Sequence, residues 1–191
     1  MNKIIGILGM QGAIAEHQEI LLQIPHTKTR IIKTAKDLDC IDGLILPGGE
    51  STAIEKLLDY FSLKEILRQK IISGLPVFGT CAGLILLAKN IENQTNTHLA
   101  TMDITVKRNG YGSQLNSFST NLLIPTIDKN MPIPLVFIRA PYITKTDKDV
   151  QILATLDNKI IAARQKNMLV TAFHPELTND LRFHQYFLSI I

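Results

Sequence analysis

A chain of 191 residues with 46% hydrophobic and 19% charged residues can bury a real core and is too apolar to stay disordered. The formal charge is only +3, and the Lys and Arg are scattered without a run of five or six, so no basic face offers itself to nucleic acid or to a membrane surface. The longest apolar stretches are far too short to span a bilayer.

In chain order, "KIIGILG" (3–9) is a β-branched run closed by glycine and predicts a first strand. Apolar residues at helical spacing from Gln11 to Gln23 predict the helix after it. "TRIIKT" (29–34) reads as a second strand and "DGLILPGG" (42–49) as a third. Ser51 or Thr52 then caps a helix running to Leu67, "LPVFGT" (75–80) gives another strand, and a helix is expected over 82–90. Short apolar strands alternating with helices predict βαβ units and a parallel sheet covered on both faces. Between 99 and 160 the texture changes. "DITVKRN", "SFSTNLLI", "PLVFIRAP" and "VQILATL" are strand-like runs joined by polar turns, which predicts a small antiparallel portion. "MLVTAFHPE" returns to a strand that ends in a turn, and an amphipathic helix is expected near 178–190. No repeat, low-complexity run or linker interrupts the chain, so a single α/β domain over 1–191 is expected.

Ligands of open parallel sheets gather outside the carboxyl ends of the strands. Four turns marked by Gly or Pro fall there: GMQGA (9–13), PGGES (47–51), GTCAG (79–83) and FHPE (173–176). Glycine after a strand commonly does no more than permit a tight turn. "GILGMQG" lacks the G-x-G-x-x-G spacing of a dinucleotide fingerprint. PGGES is not a P-loop, but its glycine pair frees backbone N–H groups at a helix start, where anions and carboxylates are favoured.

GTCAG is more specific. A cysteine between two glycines, at a strand-to-helix junction, has the logic of a nucleophile elbow: the glycines relieve crowding while the central side chain is forced outward. Helix starts also favour thiolate over thiol in general. A buried structural cysteine is the bland alternative. Cys40, in "DLDCID", has neither glycines nor an apolar helix behind it and reads as structural. With two cysteines there is no disulfide framework; free thiols in a reducing cytoplasm are expected, in keeping with "MNKIIGILGMQG", which has no signal-peptide apolar region or cleavage site. A thiolate nucleophile wants a base, and the base wants an orienting acceptor. "FHPEL" supplies both, with Pro175 expected to keep the backbone extended so that His174 and Glu176 share a side. His17, His26, His98 and His184 stand in no such setting and read as surface or packing residues. No histidine forms a metal-ligand spacing with cysteine or carboxylate, so neither metal nor cofactor is expected.

On these residues the chain resembles class I (triad-type) glutamine amidotransferase domains, and within them the glutaminase subunits of pyridoxal phosphate synthase. The motifs "GILGMQGA", "GLILPGGEST", "FGTCAGLILLAK", "VKRNGYGSQLNSF", "VFIRAP" and "FHPELTND" occur in that order over nearly the whole length. The departures are Gly110–Tyr111, where the family carries a hydroxyl residue and an aromatic, and Tyr142, where His is common. A second family of cysteine proteins has an elbow in a similar sheet, but its catalytic pair is not a His-Pro-Glu near the C-terminus. A non-catalytic scaffold would have no need of Cys81, His174 and Glu176 together.

The resemblance implies a flavodoxin-like fold and hydrolysis of L-glutamine to glutamate and ammonia, the ammonia passing to a synthase subunit in a hetero-oligomeric complex. It implies Cys81 as nucleophile, His174 as acid and base, and Glu176 as the group that orients His174. It also implies backbone N–H groups of Gly49 and Ala82 as oxyanion donors, and Gly49, Glu50, Ser51, Arg108, Ile138 and Arg139 around the substrate's amino-acid end. Glycines beside Gln11 allow the Gln11–Gly12 peptide more than one conformation, and the resemblance implies that this edge responds to the synthase.

Overall fold

The computed structural model of the chain describes residues 2–110 and 117–191. Strands β1 (Lys3–Leu8), β2 (Thr27–Ile32), β3 (Gly43–Leu46), β4 (Val77–Thr80) and β12 (Met168–Thr171) form the parallel half of a ten-stranded sheet, in the order β2-β1-β3-β4-β12. β3, β4 and β12 are only four residues long and buried throughout, as strands covered on both faces must be. The sheet continues antiparallel through β11 (Lys159–Gln165) and β9 (Tyr142–Thr146) to β6 (Met102–Lys107), with β5 (Ala88–Ile91) parallel to β6 at the edge and β10 (Gln151–Leu156) paired to β11. β7 (Ser117–Leu122) and β8 (Ile133–Ile138) make a separate antiparallel ribbon. The predicted parallel-then-antiparallel division holds, though β9 and β11 are strands beyond the runs singled out above.

Residue alternation on β4 assigns the faces. Phe78 packs edge-on against His184 and His17, so α1 (Ile14–Leu22) and α5 (Arg182–Ile190) cover one face. Gly79 faces the other way, onto α4 (Ala82–Leu87), which lies beside α2 (Ser51–Tyr60). The packing there leaves no room for side chains. A Cβ on Gly79 would stand 2.6 Å from the Gly83 backbone, and one on Gly83 would stand 2.1 Å from the Leu46 carbonyl oxygen. Gly83→Ala should therefore push α4 off β3 and cost about 1–3 kcal/mol, read as a lowered midpoint of thermal unfolding; an unchanged midpoint would mean that this contact is not tight in solution.

Two predicted helices end early, each for a visible reason. The helix from Ser51 stops at Tyr60, and α3 (Lys64–Ile72) starts afresh. Ser62 takes a left-handed φ of 54°, its N–H bonds Asp59 O, and the Leu63 N–H reaches back to Leu58 O at 2.8 Å. This is a Schellman ending built without glycine, sealed by buried Leu58 and Leu63. The cap of α2 is also corrected: Glu50, not Ser51 or Thr52, accepts the N–H groups of Thr52 and Ala53. The helix expected over 82–90 stops at Leu87, and Ala88–Ile91 becomes β5. The carbonyls of Leu86 and Leu87 accept N–H groups from Leu99 and Thr101 instead of from a further turn. Cys40, read as structural, is exposed and takes a left-handed φ of 60°. Among the described residues, no helix is long and apolar enough to cross a membrane.

Candidate active site

Three neighbouring strands, β3, β4 and β12, run parallel and deliver their carboxyl ends to one place. The turns that follow them carry Gly48–Glu50, Cys81 and His174–Glu176.

Cys81 leaves β4 at φ 49°, ψ −98°, a conformation that is strained for any residue bearing a Cβ. Its own N–H is pinned to Thr171 O of β12 at 2.8 Å. The elbow expected from GTCAG is thus present. Cys81 is 8% exposed; its Sγ stands 4.0 Å from Ile138 O and lies beside the imidazole of His174, whose pKa it raises. On the other edge of that ring, Nδ1 stands 2.7 Å from Glu176 Oε1. Glu176 is an acceptor there, so His174 carries its proton on Nδ1 and turns Nε2 toward the sulfur. The backbone route differs from the expected extended one: Pro175–Leu177 form a single 3₁₀ turn that folds Glu176 back beneath His174. The His174 N–H is tied to Val136 O of β8, so the ribbon helps hold this residue.

Burial disfavours the charged imidazole of His174, but the hydrogen bonds and charges of Cys81 and Glu176 outweigh it and push its pKa up to about 10. Burial likewise favours the neutral form of Glu176, yet the histidines facing it, His17 and His174, hold its carboxyl below the usual range. A protonated imidazole between a thiol and a carboxylate is a proton donor at neutral pH.

These groups open onto a cavity of about 490 Å³. Every residue singled out from the sequence except Ala82 and Glu176 lines it: Gln11, Gly12, Gly49, Glu50, Ser51, Cys81, Arg108, Ile138, Arg139 and His174, with Glu176 behind the histidine. Ala82 opens α4, where its N–H is a first-turn donor without an intrahelical acceptor. The Gly48 peptide is fixed on both sides. Its N–H donates to Thr80 Oγ1 at 3.0 Å, and its carbonyl accepts from Ala13 N–H at 3.0 Å. With a trans peptide, the Gly49 N–H must point away from α1. Glycine is required at 48: a Cβ would lie 2.4 Å from His174 Cε1. Gln11 Oε1 accepts the Glu50 N–H at 2.8 Å, which lays this side chain across Gly49.

The two arginines are not equivalent. Arg108 is engaged by Glu50, Nη2 to Oε1 at 2.9 Å, while among the described residues Arg139 has no ion-pair partner. Arg139 also holds a left-handed φ of 43° at the end of β8. Ser51 Oγ is buried and, among the described residues, makes no hydrogen bond. Gly110 and Tyr142, two of the departures noted above, compensate each other: the Tyr142 ring lies where a Cβ on residue 110 would be, 2.1 Å away. Tyr111 and the rest of the 111–116 stretch lie outside the described residues.

His17 and His184 were read as surface or packing residues, and here the structure disagrees in part. Both are fully buried, and His17 Nε2 lies 3.6 Å from Glu176 Oε2. The available signal was a histidine on the apolar stripe of each of the two helices, a polar group that must find a buried partner.

Residues 7–191 match the model of the SNO glutamine amidotransferase family. A protein of Ruminiclostridium cellulolyticum, pyridoxal 5'-phosphate synthase subunit PdxT, is 53% identical over 189 residues, covering 99% of this chain and 100% of that one. The protein of the same name from Carboxydothermus hydrogenoformans is 55% identical, covering 97% of this chain and 96% of its own. Among solved structures, one described as a glutamine amidotransferase superposes with a TM-score of 0.89 at 37% identity, over 97% of each chain.

Proposed function

This chain belongs to the SNO glutamine amidotransferase family, and we propose that it hydrolyses L-glutamine to L-glutamate and ammonia and passes the ammonia to a synthase subunit that makes pyridoxal 5'-phosphate. The observation that carries this reading is the continuous chain from the strained Cys81 through His174 to Glu176, at the wall of a cavity large enough for one amino acid. Sγ attacks the carboxamide carbon, and the C=O π electrons move to oxygen. His174 Nε2–H protonates the nitrogen, the C–N bond breaks, and ammonia leaves a glutamyl thioester. His174, now neutral at Nε2, takes a proton from water as it attacks the thioester; the C–S bond breaks and glutamate departs. Glu176 holds the ring's tautomer and stabilises the imidazolium. The N–H groups of Gly49 and Ala82 receive the oxyanion, each contributing about 3 kcal/mol by comparison with other such holes.

Glu50, Ser51, Ile138 and the two arginines surround the substrate's amino-acid end. Arg139, free of Glu50, takes the α-carboxylate, while Arg108 fixes Glu50. The unpaired Ser51 hydroxyl gains a partner when a polar ligand enters. The reaction belongs in the cytoplasm, where two unpaired thiols stay reduced. Gln11 and Gly12 stand where docking of the synthase can shift the Gly48–Gly49 peptide, because Gln11 Oε1 and the Ala13 N–H hold that turn.

One experiment covers both claims. The protein is incubated with a diazo-ketone analogue of glutamine, alone and with saturating synthase, and the adduct is located by mass spectrometry. Adduct at Cys81, formed more than tenfold faster with synthase and less so in Gln11→Ala, is the expected result. Adduct at Cys40 only, or none with synthase present, would overturn the glutaminase reading; equal rates with and without synthase would overturn the partner response.

A further inference from the structure

Behind the triad lies a second row of polar groups in the apolar layer between β4, α1 and α5. His17 Nδ1 is 2.9 Å from His184 Nε2, and His17 Nε2 is 3.1 Å from Thr80 Oγ1. Thr80 Oγ1 in turn accepts the Gly48 N–H. Glu176 uses Oε1 for His174, and its Oε2 is buried without a hydrogen bond among the described residues. The polar group facing Oε2 is His17 Nε2, at 3.6 Å. A buried carboxylate oxygen left unpaired is costly, which makes its neighbour informative.

The unpaired Glu176 oxygen decides between the two possible tautomer pairs. With the His17 proton on Nδ1, it would donate to His184 Nε2 and force the His184 proton onto Nδ1, which has no partner. A buried orphan N–H is rarer than a buried orphan lone pair. With both protons on Nε2, His184 donates to His17 Nδ1 and His17 presents Nε2–H to Thr80 Oγ1 and Glu176 Oε2; the Thr80 O–H and the His184 Nδ1 lone pair are left over, but the buried carboxylate oxygen faces an N–H instead of the lone pair it would meet in the other arrangement. Burial holds both rings neutral: it lowers the pKa of His17 and lowers that of His184 well below its usual value. Glu16 and His174 also face His17, the first favouring its charge and the second opposing it.

We propose that His17 is a positioning residue for the hydrolytic reaction, its Nε2–H held by His184 so that it fixes the free oxygen of Glu176 and, through Thr80, the Gly48 turn. One side chain on α1 thereby ties together the carboxylate that orients the base and the strand end that carries the oxyanion donors. The inference rests on the Cys81–His174–Glu176 reading given above.

The test compares two near-isosteric replacements in the complex with synthase. The amide of Gln places an N–H where Nε2 stood; that of Asn reaches only the position of Nδ1. His17→Gln should keep kcat within about threefold, and His17→Asn should lower it about tenfold or more while KM stays within about twofold. The downfield proton resonance of the His174 Nδ1–H···Glu176 bond should persist in the first and broaden or shift in the second. Equal kcat in both variants and wild type would overturn the proposal. So would equal losses that track the fall in thermal midpoint, which mark a merely structural residue, or a better Asn than Gln variant. Cys81→Ala is run alongside: activity surviving in it sinks the triad reading, whereas an inactive Cys81→Ala with an unaffected His17→Asn sinks only this inference.

Discussion

Replacing Cys81 with Ala should abolish glutamine hydrolysis while the synthase, supplied with ammonium salt, still makes pyridoxal 5'-phosphate at its usual rate. The change removes the sulfur and little else. The backbone there is set by the Cys81 N–H to Thr171 O bond and by glycines packed at 79 and 83, none of which involves the thiol. Ala at φ 49°, ψ −98° meets the same strain that Cys does. No second thiol can take over, because Cys40 is an exposed residue after β2 and lies among none of the cavity's lining residues. Ammonia release from glutamine, measured in the complex, should fall to background. Hydrolysis persisting in Cys81→Ala, or disappearing only when Cys40 is changed as well, would remove Cys81 from the mechanism.

Glu176→Gln should lower kcat by about 10²-fold or more, with a much smaller change in KM. The shape is kept and the charge lost. A neutral amide beside His174 Nδ1 no longer stabilises the imidazolium, so the raised pKa that makes His174 a proton donor at neutral pH falls back. If the amide nitrogen turns toward the ring, it donates to Nδ1 and forces the ring's proton onto Nε2, which leaves no lone pair there to accept a proton from thiol or water. Arg139 and Ser51, proposed to bind the substrate's amino-acid end, line the cavity, whereas Glu176 stands behind His174, which is why KM should hold. His174→Asn should be at least as severe. Steady-state kinetics with saturating synthase separates the two constants, and wild-type kcat in Glu176→Gln would make the carboxylate a purely structural group.

Much of this site could be read before the fold was known, because its parts sit at turns where residue type is dictated by geometry. Gly-x-Cys-x-Gly predicts an elbow since only glycine tolerates the contacts at 79 and 83, and His-Pro-Glu keeps two functional groups within one turn of each other. Elements defined by length alone were less legible. The apolar run 82–88 has no periodicity to mark where α4 ends and β5 begins; the switch is set by carbonyls of Leu86 and Leu87 pairing with residues 99–101. Ser62 ends α2 in a conformation usually given to glycine, which no local signal announces. Glu50, implied at the substrate's amino-acid end, also caps α2 and pairs with Arg108, an interaction that depends on a residue far along the chain. The buried contact between His17 and His184 was not legible for the same reason: the two face one another across helices from opposite ends of the sequence.

The strand order has a bearing on how the protein comes into being. β12 is inserted between β4 and β11, so the strand that brings His174 to Cys81 is among the last to be synthesised yet occupies the middle of the sheet. On the ribosome, Cys81 emerges long before His174 and Glu176, and its elbow is not pinned until Thr171 offers the carbonyl that receives its N–H. Pairings so distant in sequence form late in folding. A partly made chain therefore exposes a thiol but not an acid or base beside it, and glutamine is safe from it until translation has all but finished.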